Sequence, residues 1–160
     1  MKTILCTSAL TLAVMLLAIG CKKDETTQAT PSAQTACNGK NLCMKIDGKT
    51  LEQDAKWKTI NSGRTRILWE EGSGTTYKNI ELDIYGTAKG TYTVSANPTS
   101  GQAGFQYYEN TGMNLEGQSG TVEVTSTDNN TYTGTFTITT KDQNGNTVEI
   151  TEGNFVKVPQ

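Results

Sequence analysis

The chain has 160 residues, with 14 lysines and arginines against 16 aspartates and glutamates, a net charge of −2 and no histidine. That length supports a single core, and a near-neutral balance with no basic stripe argues against a nucleic-acid partner. Without histidine, Ser-His-Asp and Cys-His hydrolysis are excluded and the commonest zinc ligand is missing, so no metal or other cofactor is expected.

Residues 1–21 read MKTILCTSALTLAVMLLAIGC. Lys2 gives a positive start, an apolar run extends from Ile4 to Ile19, and Gly20 and Cys21 close it. That order of charged, apolar and small residues is an export pattern. The run is shorter than a spanning helix requires and carries small polar residues. The segment Ala18-Ile19-Gly20-Cys21, with Leu17 before it, resembles the lipobox of bacterial lipoproteins. The resemblance implies removal of residues 1–20 and acylation of Cys21, hence a membrane partner through the N-terminal lipid. Lys23-Asp24-Glu25 further resembles the surface-export signal of Bacteroidota lipoproteins. It implies an outer-membrane address, at the cell surface or on the periplasmic face.

Residues 22–36 contain no bulky apolar side chain and cannot bury enough surface to order themselves. With Cys21 they read as a lipidated flexible tether, 21–36, spanning on the order of 20 Å on average. The β-domain then occupies 37–160. Cys6 leaves with the signal and Cys21 takes the lipid, so Cys37 and Cys43 remain as a pair in an oxidising compartment. A disulfide is expected over two free thiols, and the turn formers between them make a small closed loop feasible.

Beyond Cys43 the chain alternates and turns. Residues 44–47 form a short strand closed by Asp47-Gly48, a hairpin signal. Residues 51–60 (LEQDAKWKTI) stay open between an irregular strand and a helical turn near 52–56. Residues 65–71 place Ile67 and Trp69 on one face, and 77–85 (YKNIELDIY) alternate Ile80, Leu82 and Ile84 with Glu81 and Asp83. Strands follow at 90–95, 104–109 and 120–126. Residues 131–140 set Tyr132, Phe136 and Ile138 against a row of threonines, which read as a solvated face. Asn144-Gly145 marks a hairpin, and 146–158 form a last strand bulged at Gly153. About eight short strands with polar turns predict an all-β fold, a single antiparallel sandwich or barrel.

Gly134-Thr135-Phe136, Asn144-Gly145 and Gly153-Asn154-Phe155, with Asp47-Gly48-Lys49 and Trp57 upstream, are similar to small Bacteroidota lipoproteins of uncharacterised domain families. The similarity covers about residues 43–158 and implies no activity.

Three chemistries have residues to support them. Asp142-Gln143-Asn144-Gly145-Asn146 opens like a calcium loop, but glycine falls at the fourth place rather than the sixth and Gly153 stands where a bidentate Glu belongs. A hairpin turn is expected there. Glu70, Glu71, Glu81, Asp83, Glu109 and Glu123 could supply a carboxylate pair for glycoside hydrolysis, but alternation turns such residues to water and nothing sets two across a cleft. Aromatic side chains carry the stronger signal for binding: Trp57, Trp69, Tyr77, Tyr85, Tyr107 and Tyr108. Trp69 shares the core face of Ile67. Tyr107 and Tyr108 are adjacent in a strand and must point to opposite faces, which makes Tyr108 the candidate ligand-binding residue. The expected function is a non-enzymatic cell-envelope lipoprotein whose β-domain binds a protein, a glycan or another envelope component. The alternatives are a lipocalin-like barrel carrying an apolar ligand and, behind it, a carboxylate-based glycan hydrolase.

Overall fold

The computed structural model describes residues 37–61 and 63–160. The expected signal peptide, the acylated Cys21 and the tether through residue 36 lie outside the described residues. Ten strands follow: β1 (Leu42–Ile46), β2 (Lys49–Gln53), β3 (Lys56–Asn61), β4 (Arg64–Glu71), β5 (Lys78–Ile84), β6 (Gly90–Val94), β7 (Gln102–Glu109), β8 (Met113–Ser126), β9 (Thr131–Asp142) and β10 (Thr147–Pro159). They form one open sheet in the order β2-β1-β10-β9-β8-β6-β7-β5-β4-β3, with β7 also paired to β8. The pairing is antiparallel except for a short parallel contact of β6 with β7 at Val94 and Ala103.

The all-β expectation holds, with ten strands in place of about eight. The two additional strands, β2 and β3, take in the segment left open, residues 51–60, which contains no helical turn. Asp47 and Gly48 both adopt positive φ, the conformation of a type I′ hairpin, and turn β1 back into β2. Only Asp54 and Ala55 then separate β2 from β3, yet these two strands are the opposite ends of the sheet. A two-residue link between the ends forces the sheet to roll until its edges nearly meet. Asn41 pins that link twice: its Oδ1 accepts from the Ala55 N–H at 2.7 Å and its Nδ2 donates to the Ala55 carbonyl at 2.9 Å. Side chains cross the remaining seam. Trp57 of β3 packs on Tyr132 of β9 with ring centroids 5.1 Å apart, and its indole N–H donates to the Asn130 carbonyl at 3.0 Å.

The inward positions form one hydrophobic cluster, including Leu42, Ile67, Trp69, Ile80, Leu82, Ile84, Leu115, Ile138 and Ile150. At its centre Phe136 lies between Phe105 and Phe155, with centroids 6.2 and 6.4 Å away. Register explains the two Gly-x-Phe motifs. Phe136 faces Gly153 across the β9–β10 ladder, and Phe155 faces Gly134. Each ring lies over the other strand's glycine, where no side chain competes for the space. A Cβ on Gly153 would sit 2.5 Å from two atoms of the Phe136 ring. The expected bulge is present, as a register shift between Ile150 and Gly153.

Cys37 and Cys43 are joined by a disulfide with Cα atoms 5.4 Å apart, within the ordinary range. The bond anchors residues 37–41 to the start of β1 at the end of the domain nearest the expected tether in sequence. Thr131, Thr133, Thr135, Thr137 and Thr139 face outward as expected, while the alternate Tyr132, Phe136 and Ile138 are buried.

Candidate functional site

Directly opposed residues on neighbouring strands share a face, so register alone assembles the outer surface of β4, β5, β7 and β8. One row across it reads Glu70, Asn79, Tyr108 and Asn114. The next reads Leu68, Glu81, Gln106 and Glu116, and a third reads Arg66, Asp83 and Gly104.

Tyr107 and Tyr108 diverge as alternation requires. Tyr107 is buried and its hydroxyl donates to Glu109. Burial and that carboxylate together push the Tyr107 hydroxyl well above its ordinary value. Tyr108 points outward, half-buried, and its hydroxyl donates to Asn110 Oδ1 at 2.7 Å. Beside it stands Tyr77, just ahead of β5, with ring centroids 6.2 Å apart and a 47° tilt. Two turns are tied together beneath this pair. The Asn110 N–H donates to the Tyr77 carbonyl, and Asn110 Nδ2 donates to the Gly74 carbonyl, both at 2.9 Å. The Tyr77 hydroxyl donates to Glu70 Oε1 at 2.9 Å. That bond raises the Tyr77 hydroxyl above its usual value, because ionisation would place a second anion against the carboxylate.

Asn79 lies at the foot of the pair, two residues beyond Tyr77 and directly opposite Tyr108. It is on the outer face yet only 8% exposed. Its Nδ2 donates to Glu81 Oε1 at 3.3 Å, and its Oδ1 has no partner. On the far side of Tyr108, Asn114 Oδ1 is also buried and unpartnered. Arg64 Nε is the third such atom among the described residues. All three belong to this one outer surface. Each buried polar atom without a partner costs about 1–3 kcal/mol, so the concentration here is a local expense that the buried interior of the sheet avoids.

The other end of the surface is an ion-pair cluster. Arg66 grips Asp83 with two bonds, Nε to Oδ1 at 2.7 Å and Nη2 to Oδ2 at 2.8 Å, while its Nη1 meets Glu81 at 2.5 Å. Arg64 also pairs with Asp83 and lies over the Tyr85 ring, 4.9 Å from its centroid. Burial pushes the Asp83 carboxyl up, but hydrogen bonds from Arg66 and Arg64 outweigh it and hold the group below the ordinary carboxylate value. A shallow groove of about 240 Å³ runs beside these side chains toward Pro98, Gln106 and Glu116.

The remaining candidates are accounted for by structure. Trp69 is buried beside Ile67, as its position implied, and Trp57 bridges the seam. Glu81 and Asp83 are engaged by arginine, and Glu109 by Tyr107 and Lys78. Asp142 accepts the N–H groups of Asn144 and Asn146, both at 2.8 Å, and Asn146 Nδ2 at 2.9 Å. That carboxylate is committed to its hairpin turn, as expected. Among the described residues no three Cys, Asp or Glu side chains converge as a metal site.

Sequence reasoning isolated Tyr108 but missed Asn79 and Asn114, since outward amides look like ordinary solvated residues until register places them on either side of a tyrosine.

No curated protein and no solved structure matches the chain. A family described as "Domain of unknown function (DUF6252)" matches residues 43–159, nearly the whole β-domain and most of the chain. The chain belongs to the DUF6252 family.

Proposed function

We propose that this protein is a cell-envelope lipoprotein, acylated at Cys21 on the outer membrane, whose β-domain is a non-enzymatic binding module for a protein, a glycan or another envelope component. The observation that carries the binding reading is the outer surface of β4, β5, β7 and β8. A half-buried aromatic pair lies there, and the unpartnered buried polar atoms found among the described residues gather around it and its neighbouring ion pairs. The Cys37–Cys43 disulfide supports export, since such bonds persist in oxidising compartments. Of the candidate carboxylates, Glu70, Glu81, Asp83 and Glu109 are engaged by tyrosine, arginine or lysine, and Glu71 and Glu123 stand exposed on separate strands, which favours binding over bond cleavage. The Phe105–Phe136–Phe155 stack fills the centre of the roll and favours an outer-face ligand over an enclosed apolar one.

The test is a broad protease added to intact cells that make the chain with a C-terminal tag, beside a periplasmic control. Loss of the tag while the control survives places the domain at the cell surface; survival until lysis places it on the periplasmic face. Either agrees with an envelope address provided Cys21→Ser releases the chain from the membrane fraction. A tag found in the cytoplasmic fraction would overturn the reading. So would polysaccharide hydrolysis by the purified chain that is lost on substituting a single carboxylate.

A further inference from the structure

We infer that the Tyr77–Tyr108 shelf is a binding site for a neutral glycan, an assignment that rests on the binding-module reading above. The shelf pairs two kinds of surface that a sugar ring satisfies together. The C–H faces of a pyranose lie against tyrosyl rings, whose flat apolar bodies and polar tips suit such a ligand. Its hydroxyls donate to amide oxygens, and two of these, Asn79 Oδ1 and Asn114 Oδ1, have no donor in the domain itself. They flank Tyr108 across β5, β7 and β8. Adjacent strands lie about 4.8 Å apart, so the two asparagine backbones are about 10 Å apart, the scale of two linked sugar rings.

Both acceptors are buried. Asn79 is buried on the outer face of β5, and the residue opposite it on β7 is Tyr108. The hydroxyl of Tyr108 is held only by the exposed Asn110. Glycan binding requires this side chain to move aside, so that the amide oxygens meet the ligand's hydroxyls while the ring meets its C–H face. Charge selects among glycans. Glu70 borders the shelf with no basic partner among the described residues, and its carboxylate repels uronic and sialic acids. The unmet groups beside Tyr108 are acceptors, which suit hydroxyl-rich ligands and offer nothing to phosphate. A protein partner on the same surface is the competing outcome.

The experiment is affinity electrophoresis of the full chain in detergent through gels containing dextran, laminarin, mannan or xylan, with alginate as the anionic control. At least one neutral polysaccharide should retard the chain and alginate should not. Tyr108→Ala and Asn114→Ala should each weaken retardation by about tenfold or more. Tyr108→Phe keeps the ring and should stay within about threefold of the parent. Thr135→Ala, on the outward row of β9, should change nothing. Should Tyr108→Ala fail to fold, Asn114→Ala and Tyr108→Phe still decide the matter. Equal retardation of Tyr108→Ala, Asn114→Ala and the parent would remove this shelf from the site while leaving a glycan-binding module. Retardation by none of the four neutral polysaccharides, or by alginate alone, would overturn the neutral-glycan assignment. The intact-cell protease experiment judges the envelope reading separately.

Discussion

Gly153→Ala distinguishes a glycine held by a ring from one held by backbone conformation. In an open strand, adding a methyl group to glycine is stabilising by about 0.4–1 kcal/mol, because it restricts the unfolded chain. Here the new Cβ would lie 2.5 Å from Cδ2 and Cε2 of Phe136 and 2.6 Å from Cγ. Carbon atoms rest about 3.5–4.0 Å apart, so the ring must retreat by about 1 Å. It cannot do so freely: Phe136 is buried, with Phe105 and Phe155 on either side. Overpacking of this kind costs about 1–3 kcal/mol, and confinement on two sides places Gly153→Ala at about 2–3. Phe136→Leu alone removes part of a buried ring and should cost about 1–3 kcal/mol. In the double variant the shorter side chain makes room for the methyl group, so the two costs should fall short of additivity by about 1–2 kcal/mol. Urea unfolding followed by the fluorescence of Trp57 and Trp69 measures all four corners. Gly134→Ala is the control. Its Cβ would meet the Glu123 carbonyl oxygen as well as the Phe155 ring, so Phe155→Leu should not rescue it. A stabilising Gly153→Ala, or additivity with Phe136→Leu within about 0.5 kcal/mol, would refute the reciprocal Gly–Phe packing.

Three further outcomes follow from the same geometry. Replacing Cys37 and Cys43 by serine should cost about 2 kcal/mol, the chain-entropy value for so short a loop, read as a lower urea midpoint that reducing agent reproduces in the parent and not in the variant. Asp83 titrates below its ordinary value, so its stabilising contribution is complete above the usual carboxylate range and is lost as pH falls through the lowered value; Asp83→Asn should flatten the acid limb of a stability–pH profile. Tyr107 titrates above its ordinary value, so the neutral hydroxyl stabilises the fold below the usual tyrosine range and that contribution is lost as pH rises beyond it. Tyr107→Phe should therefore weaken the alkaline loss of stability seen by thermal unfolding.

Much of the strand pattern was legible because it rests on local alternation. Ile80, Leu82 and Ile84 against Glu81 and Asp83 could be read directly, and they are inward and outward as written. The first half of β8 could not be read. Between Met113 and Gly120 the only bulky inward residue is Leu115, and its next inward position is Gly117, which lies against Val94 and Phe105 where a larger side chain would collide. The apolar signal disappears where the backbone itself packs. The separation of β2 from β3 was likewise hidden, because only the global order of the sheet shows that a two-residue link joins its opposite ends. For the candidate site, Tyr108 followed from its alternation with Tyr107. Asn79 and Asn114 required the register that places one on each side of it.

Intact-protein mass spectrometry of the chain extracted from membranes tests the envelope reading most directly. The predicted species begins at Cys21, carries lipid on that residue and holds Cys37 and Cys43 as a disulfide that does not react with iodoacetamide. A chain that still begins at Met1, with an unacylated Cys21 and alkylated Cys37 and Cys43, would contradict it.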